Sequence, residues 1–206
     1  MFNYLKKLFL TIFGKIKVFK WPMFIVYDPS TYLVKGQQIR EILGIIKPGY
    51  IIGRGYDNYL DGWFIPGRYS HTAVVATVKP NKQTVIHSMS QGVFEQDILD
   101  FLKCDRIVIF KPRNGRSVAV KTARKMIGKG YDFDFETNDD RFYCHELTQY
   151  CFPKLEISPV TIGHWWWKRE VYTIDSFTES PDLEIVYEFD PKNEKQGRTS
   201  NADKKD

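Results

Sequence analysis

The order of hydrophobic patterns along this chain predicts an α+β fold, an antiparallel sheet packed against a helix that carries a cysteine. Three observations lead there. Ser70–Val78 and Thr84–Met89 are runs of small and β-branched residues separated by the turn Pro80-Asn81-Lys82-Gln83, the pattern of an antiparallel hairpin. The elements run helix, strands, helix, cysteine helix, strand, and do not alternate as βαβ units do. Leu147–Phe152 has a helical rhythm, stops at Pro153, and places Cys144 where a polar, acidic loop meets the helix. A chain of 206 residues with 43% hydrophobic and 16% aromatic content is long and apolar enough for one packed domain with extensions.

Taken in order, residues 1–20 read as a basic amphipathic helix. Leu5, Phe9, Ile12, Phe13 and Ile16 share one face, and Asn3, Lys6, Lys7, Gly14 and Lys17 the other, with Leu10 and Lys15 as exceptions. The apolar run is too short to span a bilayer and is followed by no signal-type cleavage site. Two readings stay open: attachment to an anionic membrane surface, or packing of the apolar face on the body. Residues 21–46 read as an irregular linker, 21–33, and a short helix, 36–46. Tyr50-Ile51-Ile52 reads as a buried strand that ends at the glycine-broken GRGYDNYLDG. After the hairpin, Gly92–Phe94 continues the sheet, Asp97–Leu102 makes a turn or two of helix, and Arg106–Phe110 another strand. Ser117 is placed to cap a helix over 118–127 that stops at Gly128. Residues 153–182 are rich in Pro and Trp, Leu183–Phe189 alternates like a half-buried strand, and 191–206 is polar enough to be a disordered tail. The expected division is therefore 1–20, 21–46, a main body over 47–190, and the tail over 191–206.

Charge and cysteine content narrow the function. The net charge is +5, yet residues 1–20 hold five lysines and no acid; the 30 basic residues less these five leave 25, against 25 acidic ones. A neutral body argues against a nucleic-acid surface. The three cysteines cannot close a full disulfide framework, and the spacing of Cys104, Cys144 and Cys151 fits no zinc pattern. A reducing, cytoplasmic setting is expected, peripheral to a membrane if residues 1–20 bind one, with no metal and no cofactor.

Cys144 is the candidate nucleophile, because a thiol at a helix N-terminus feels the positive end of the dipole and is expected to have a lowered pKa. A thiol hydrolase also needs an imidazole base and a group to orient it. His71 begins one hairpin strand and His87 lies near the end of the other, so a helix packed there could bring all three together. His145 is a helix step of about 100° from Cys144 and reads as a neighbour rather than the base. Glu146 reads as a first-turn cap. Cys104 and Cys151 read as packing residues. Trp165-Trp166-Trp167 reads as a groove, a lipid contact or core.

In order and spacing, PGYIIGRG, SHTAVV, TVIHSMSQGV, DILDFL, IVIFKPR and GKGYDFDFETNDDRFYCHEL resemble the circularly permuted papain-like hydrolases of the NlpC superfamily, the YiiX/YaeF group. Lecithin–retinol acyltransferase-like proteins are more distant. The likeness spans about 47–152, and its most specific part is Gly130-Tyr131-Asp132 followed by Phe142-Tyr143-Cys144-x-Glu146-Leu147. It implies Cys144 as nucleophile, His71 as general base and acid, and His87 in the orienting position where the group often has glutamate. The Cys144 N–H is then an oxyanion donor, with Tyr50, Tyr56 or Tyr143 as candidates for a second. A peptidase or amidase working through an acyl-enzyme is the expectation. A lipid-directed acyl hydrolase or acyltransferase, and a catalytically silent binding module, are the alternatives.

Overall fold

The structure is a computed structural model and describes residues 2–13, 17–18, 25–26, 32–57, 67–135, 140–164 and 167–192. Six strands form an antiparallel sheet: β3 (Ile51–Gly55), β4 (His71–Lys79), β5 (Lys82–Met89), β6 (Gly92–Asp97), β7 (Arg106–Pro112) and β10 (Leu183–Phe189), in the order β10-β7-β3-β4-β5-β6. The β4–β5 hairpin turns at Pro80-Asn81, with Lys79 opposite Lys82, and a bulge interrupts the register between Val75 and Thr77. Tertiary context lengthens β3 beyond the expected Ile52. A Cβ at Gly53 would lie 2.8 Å from Val108 and 2.9 Å from Ile174, so only glycine lets the strand continue under α6 (Ile174–Thr178).

Both faces of the sheet are covered. Ile51, Val74, Ile86, Val108 and Phe110 pack under α4 (Arg116–Met126), α5 (Cys144–Tyr150) and α6, whose buried contributions include Ala119, Ala123, Leu147 and Phe177. Ile52, Ala73, Val75, Val85, Ile107 and Ile109 face α2 (Gly36–Ile45) and α3 (Ile98–Phe101), with Ile42 and Phe101 fully buried. The period of two along each strand sorts neighbours onto opposite faces.

Three expectations are corrected. Gly115, at φ 79°, and not Ser117, precedes the first turn of α4. In the Pro- and Trp-rich stretch 153–182, for which no element was expected, β8 (Val160–His164) and β9 (Trp167–Val171) pair, and α6 follows. Ahead of α2, β1 (Lys17–Val18), within the residues 1–20 expected to be helical, pairs with β2 (Ile25–Val26), within the expected linker. The N-terminal helix is α1 (Phe2–Phe13). The readings made for residues 193–206, Trp165 and Trp166 fall outside the described residues.

The segment leading to the cysteine is tied to the sheet. Gly92, at φ 104°, lets β6 approach Lys129, whose carbonyl accepts the Val93 N–H at 2.9 Å. Gly130 then bridges to Arg141, bringing the chain to the start of α5.

Candidate active site

Cys144 is the first residue of α5 and is 5% exposed. Hydroxyls from the sheet fix that helix end. Thr72 Oγ1 donates to the Cys144 carbonyl at 3.2 Å and lies 3.0 Å from Thr148 Oγ1, and Ser88 Oγ donates to the Phe142 carbonyl at 2.6 Å. The Glu146 carboxylate accepts the Tyr143 N–H at 3.3 Å, the reach-back of a capping box expected from its first-turn position.

The sulfur has two hydrogen-bond partners: the Ser70 carbonyl at 3.8 Å and His145 Nδ1 at 3.3 Å. The first places it where β4 begins, one residue from His71. The second was not anticipated. The expected lowering of the thiol pKa is reversed: burial pushes Cys144 up to about 11, outweighing the backbone N–H groups that favour the thiolate. Desolvation of a charge wins over the partial charge of a seven-residue helix.

His71 and His87 meet on the other face. By register His87 lies opposite Ala73, diagonal to His71, and the ring nitrogens His71 Nε2 and His87 Nδ1 are 2.8 Å apart. Phe101 packs against both rings, at 5.8 and 5.4 Å between centroids. Arg54, opposite His71 in the β3–β4 register, lies over the Phe101 ring at 4.4 Å and donates to the Phe101 carbonyl at 3.1 Å. Burial, then the Arg54 charge, hold both imidazoles well below 6.5. Both are therefore neutral at pH 7. His71 keeps part of its surface exposed, while His87 is fully buried.

A neutral histidine orients another only in one tautomer. For His71 Nδ1 to accept a thiol proton, its own proton must sit on Nε2 and point at His87 Nδ1. The His87 proton is then on Nε2, a buried atom without a hydrogen-bond partner. Gln96 stands on the same face of β6, two residues from the Phe94 that pairs with His87, and its Oε1 is likewise buried and unpaired. Gln96 is near enough to oppose the drop in the His87 pKa without closing a hydrogen bond to it. Gln96 escaped sequence reasoning because a polar residue on an edge strand is ordinary. Arg54 had a signal, a charge inside the otherwise apolar run IIGRG.

Of the tyrosines considered for the oxyanion, Tyr143 accepts the Tyr172 N–H at 2.7 Å through its hydroxyl, and Tyr50 lies beside Arg116, 5.7 Å from the guanidinium carbon. Cys104 and Cys151 are fully buried, free thiols, one on each face, with burial raising both pKa values.

An antiparallel sheet bearing a histidine strand ahead of a cysteine-led helix defines a permuted papain-like thiol hydrolase fold. The model of the permuted papain-like amidase enzymes, the YaeF/YiiX, C92 family, matches residues 45–187, and the chain belongs to that family. Among solved structures it is similar to one described as the metalloprotein yiiX from Escherichia coli O157:H7, at 18% identity and a TM-score of 0.58, covering 70% of this chain and 98% of that one. No curated protein matches the chain significantly. Among the described residues, no helix is long and apolar enough to cross a membrane.

Proposed function

We propose that the chain is a cysteine hydrolase that cleaves amide bonds of peptide-like substrates through an acyl-enzyme. Cys144 is the nucleophile, His71 the base and acid, and His87 the residue that orients His71. The observation that carries this reading is the His71 Nε2–His87 Nδ1 contact at 2.8 Å, which leaves His71 Nδ1 free of that partner; the resting sulfur bonds the Ser70 carbonyl and His145 Nδ1 and not His71, so it must turn toward His71 before the proton passes. In the first step the thiol proton passes to His71 Nδ1 as the sulfur adds to the carbonyl carbon. The tetrahedral oxyanion faces the Cys144 N–H. Collapse expels the amine with the proton from His71, leaving a thioester. Water, deprotonated by His71, then releases the carboxylic acid and the thiol.

The solved neighbour is described as a metalloprotein. Among the described residues here, no three His, Cys, Asp or Glu side chains gather as ligands. An activated acyl amide should give a burst of leaving group and a covalent mass increase on the chain. Both should vanish in Cys144→Ala. A full burst in that variant would refute the assignment.

A second reading, action on lipid acyl groups at an anionic membrane, draws on α1. Tyr4, Leu5, Leu8 and Phe9 are 69, 55, 45 and 62% exposed along one stripe, while Lys6 pairs with Asp134 on the body. The stripe is turned outward, as an interfacial helix requires. Pelleting with anionic vesicles should be lost on deleting residues 1–20; equal pelleting with and without them removes this reading.

A further inference from the structure

We propose that Gln96 is a positioning residue for the histidine pair: its amide oxygen accepts the His87 Nε2–H and so turns His87 Nδ1 into a fixed acceptor for His71. The inference rests on His71 being the base. Three observations carry it. In the β5–β6 register His87 pairs with Phe94 and Val85 with Gln96, which puts Gln96 diagonally beside His87 on one face of the sheet. Diagonal neighbours of this kind are about 7–8 Å apart, within reach of a long side chain. The Phe94 and Phe101 rings pack on His87 at 4.5 and 5.4 Å between centroids, and they carry no nitrogen or oxygen for Nε2 to bond. His87 Nε2 and Gln96 Oε1 are both buried, and neither has a hydrogen-bond partner among the described residues. A buried polar atom left alone is costly, and the cost is relieved where the two meet.

Chemistry fixes the direction of that meeting. An amide oxygen accepts and never donates, so a His87 Nε2 that bonds to it carries the hydrogen. A neutral imidazole has one N–H, so His87 Nδ1 is then a lone pair. The 2.8 Å contact therefore runs from His71 Nε2–H to His87 Nδ1. His71 Nδ1 is left bare and able to take the thiol proton. The opposite pattern, His87 Nδ1–H donating to His71 Nε2, would put the His71 hydrogen on Nδ1 and disable the base. Geometry within the pair does not choose between the two patterns; the acceptor on β6 does. The same nearness shows in the titration of His87, where Gln96 opposes the fall caused by burial and Arg54.

Nitrogen NMR of the histidine rings, read beside kcat and KM on an activated acyl amide, tests this. In the unaltered protein at neutral pH, His87 should show a protonated Nε2 and a bare Nδ1. Gln96→Leu keeps the bulk and deletes the acceptor. The His87 hydrogen should then redistribute toward Nδ1, and kcat should fall about three- to tenfold at unchanged KM, the range for one hydrogen bond of ordinary strength. Gln96→Glu accepts at the same place and should return both readings toward native. A His87 hydrogen on Nδ1 in the unaltered protein overturns the proposal even if the variants do not fold. So does a folded Gln96→Leu with native ring shifts, or a Gln96→Glu no better than Gln96→Leu. Failure of the underlying reading of His71 as base looks different: His71→Ala would keep its kcat, while the His87 ring shifts would still answer to Gln96→Leu.

Discussion

The face of the sheet under α4, α5 and α6 meets its helices through small hydroxyls, Thr72 and Ser88, which hold the backbone around Cys144. The face under α2 and α3 carries Arg54, His71 and His87 gathered around one phenyl ring, Phe101. Both faces are apolar and fully buried at their centres. They differ in what each strand position sends through the sheet: Thr72 goes to the cysteine side and His71, the residue before it, to the other. Cys144, the proposed nucleophile, and the histidine pair are thus built on separate cores. They adjoin where β4 begins, at the Ser70 carbonyl that touches the sulfur. The cysteine core sets the thiol's resting partners, and the histidine core holds both imidazoles neutral.

The sharpest way to break this division is to remove the base. His71→Ala should lower kcat/KM on an activated amide by about 10²- to 10⁴-fold, the usual worth of a positioned proton-transfer group. A drop of less than tenfold would mean that the histidine face takes no part in the chemistry.

Next in size is the support beneath the pair. Phe101→Ala should cost about 3–5 kcal/mol of stability in a denaturant titration. Phe177→Ala on the opposite face should cost a similar amount. Only the first should also disturb the His71–His87 contact, read as altered imidazole resonances by NMR. Equal disturbance from both would dissolve the distinction between the cores.

The charge on the histidine face gives a smaller effect with a definite sign. Arg54 lowers the pKa of His71 and His87, after burial. Arg54→Met should therefore raise both imidazole pKa values and move the acid limb of the rate profile to higher pH. A limb that stays in place or moves down contradicts the electrostatic role.

The least effect specific to either face concerns stability against pH. His71, His87 and His145 all bind a proton more weakly when folded than the ordinary value of 6.5. Below that pH the unfolded chain holds more protons than the folded one, so stability should fall as the pH drops through 6.5, and be fully present above it. Histidines from both cores contribute, so His145→Phe should reduce the slope of Tm against pH only in part. An unchanged slope in that variant would place its imidazole in contact with water.

Much of this was legible without coordinates. Hairpin chemistry at Pro80-Asn81, the helix stop at Gly128 and the family motif around Cys144 rest on local patterns, which sequence carries directly. The extension of β3 through Gly53 was hidden, because it depends on Val108 and Ile174 approaching from far along the chain. The hairpin at 160–171 was masked by aromatic and proline content that reads as irregular. His145 was read only as a neighbour of Cys144; a step of about 100° separates side-chain directions, and the contact of its ring with the neighbouring sulfur comes from the fold.

The sequence by itself determined the α+β class, the order of histidine strand before cysteine helix, and the family motif around Cys144, because periodicity, turn chemistry and motif spacing are properties of neighbours in the chain. Tertiary structure alone decided the protonation of the thiol and the partners of each imidazole. A pKa depends on how much water is excluded and which charges come near, and at Cys144 that exclusion, acting over the whole fold, outweighed the helix end on which it stands.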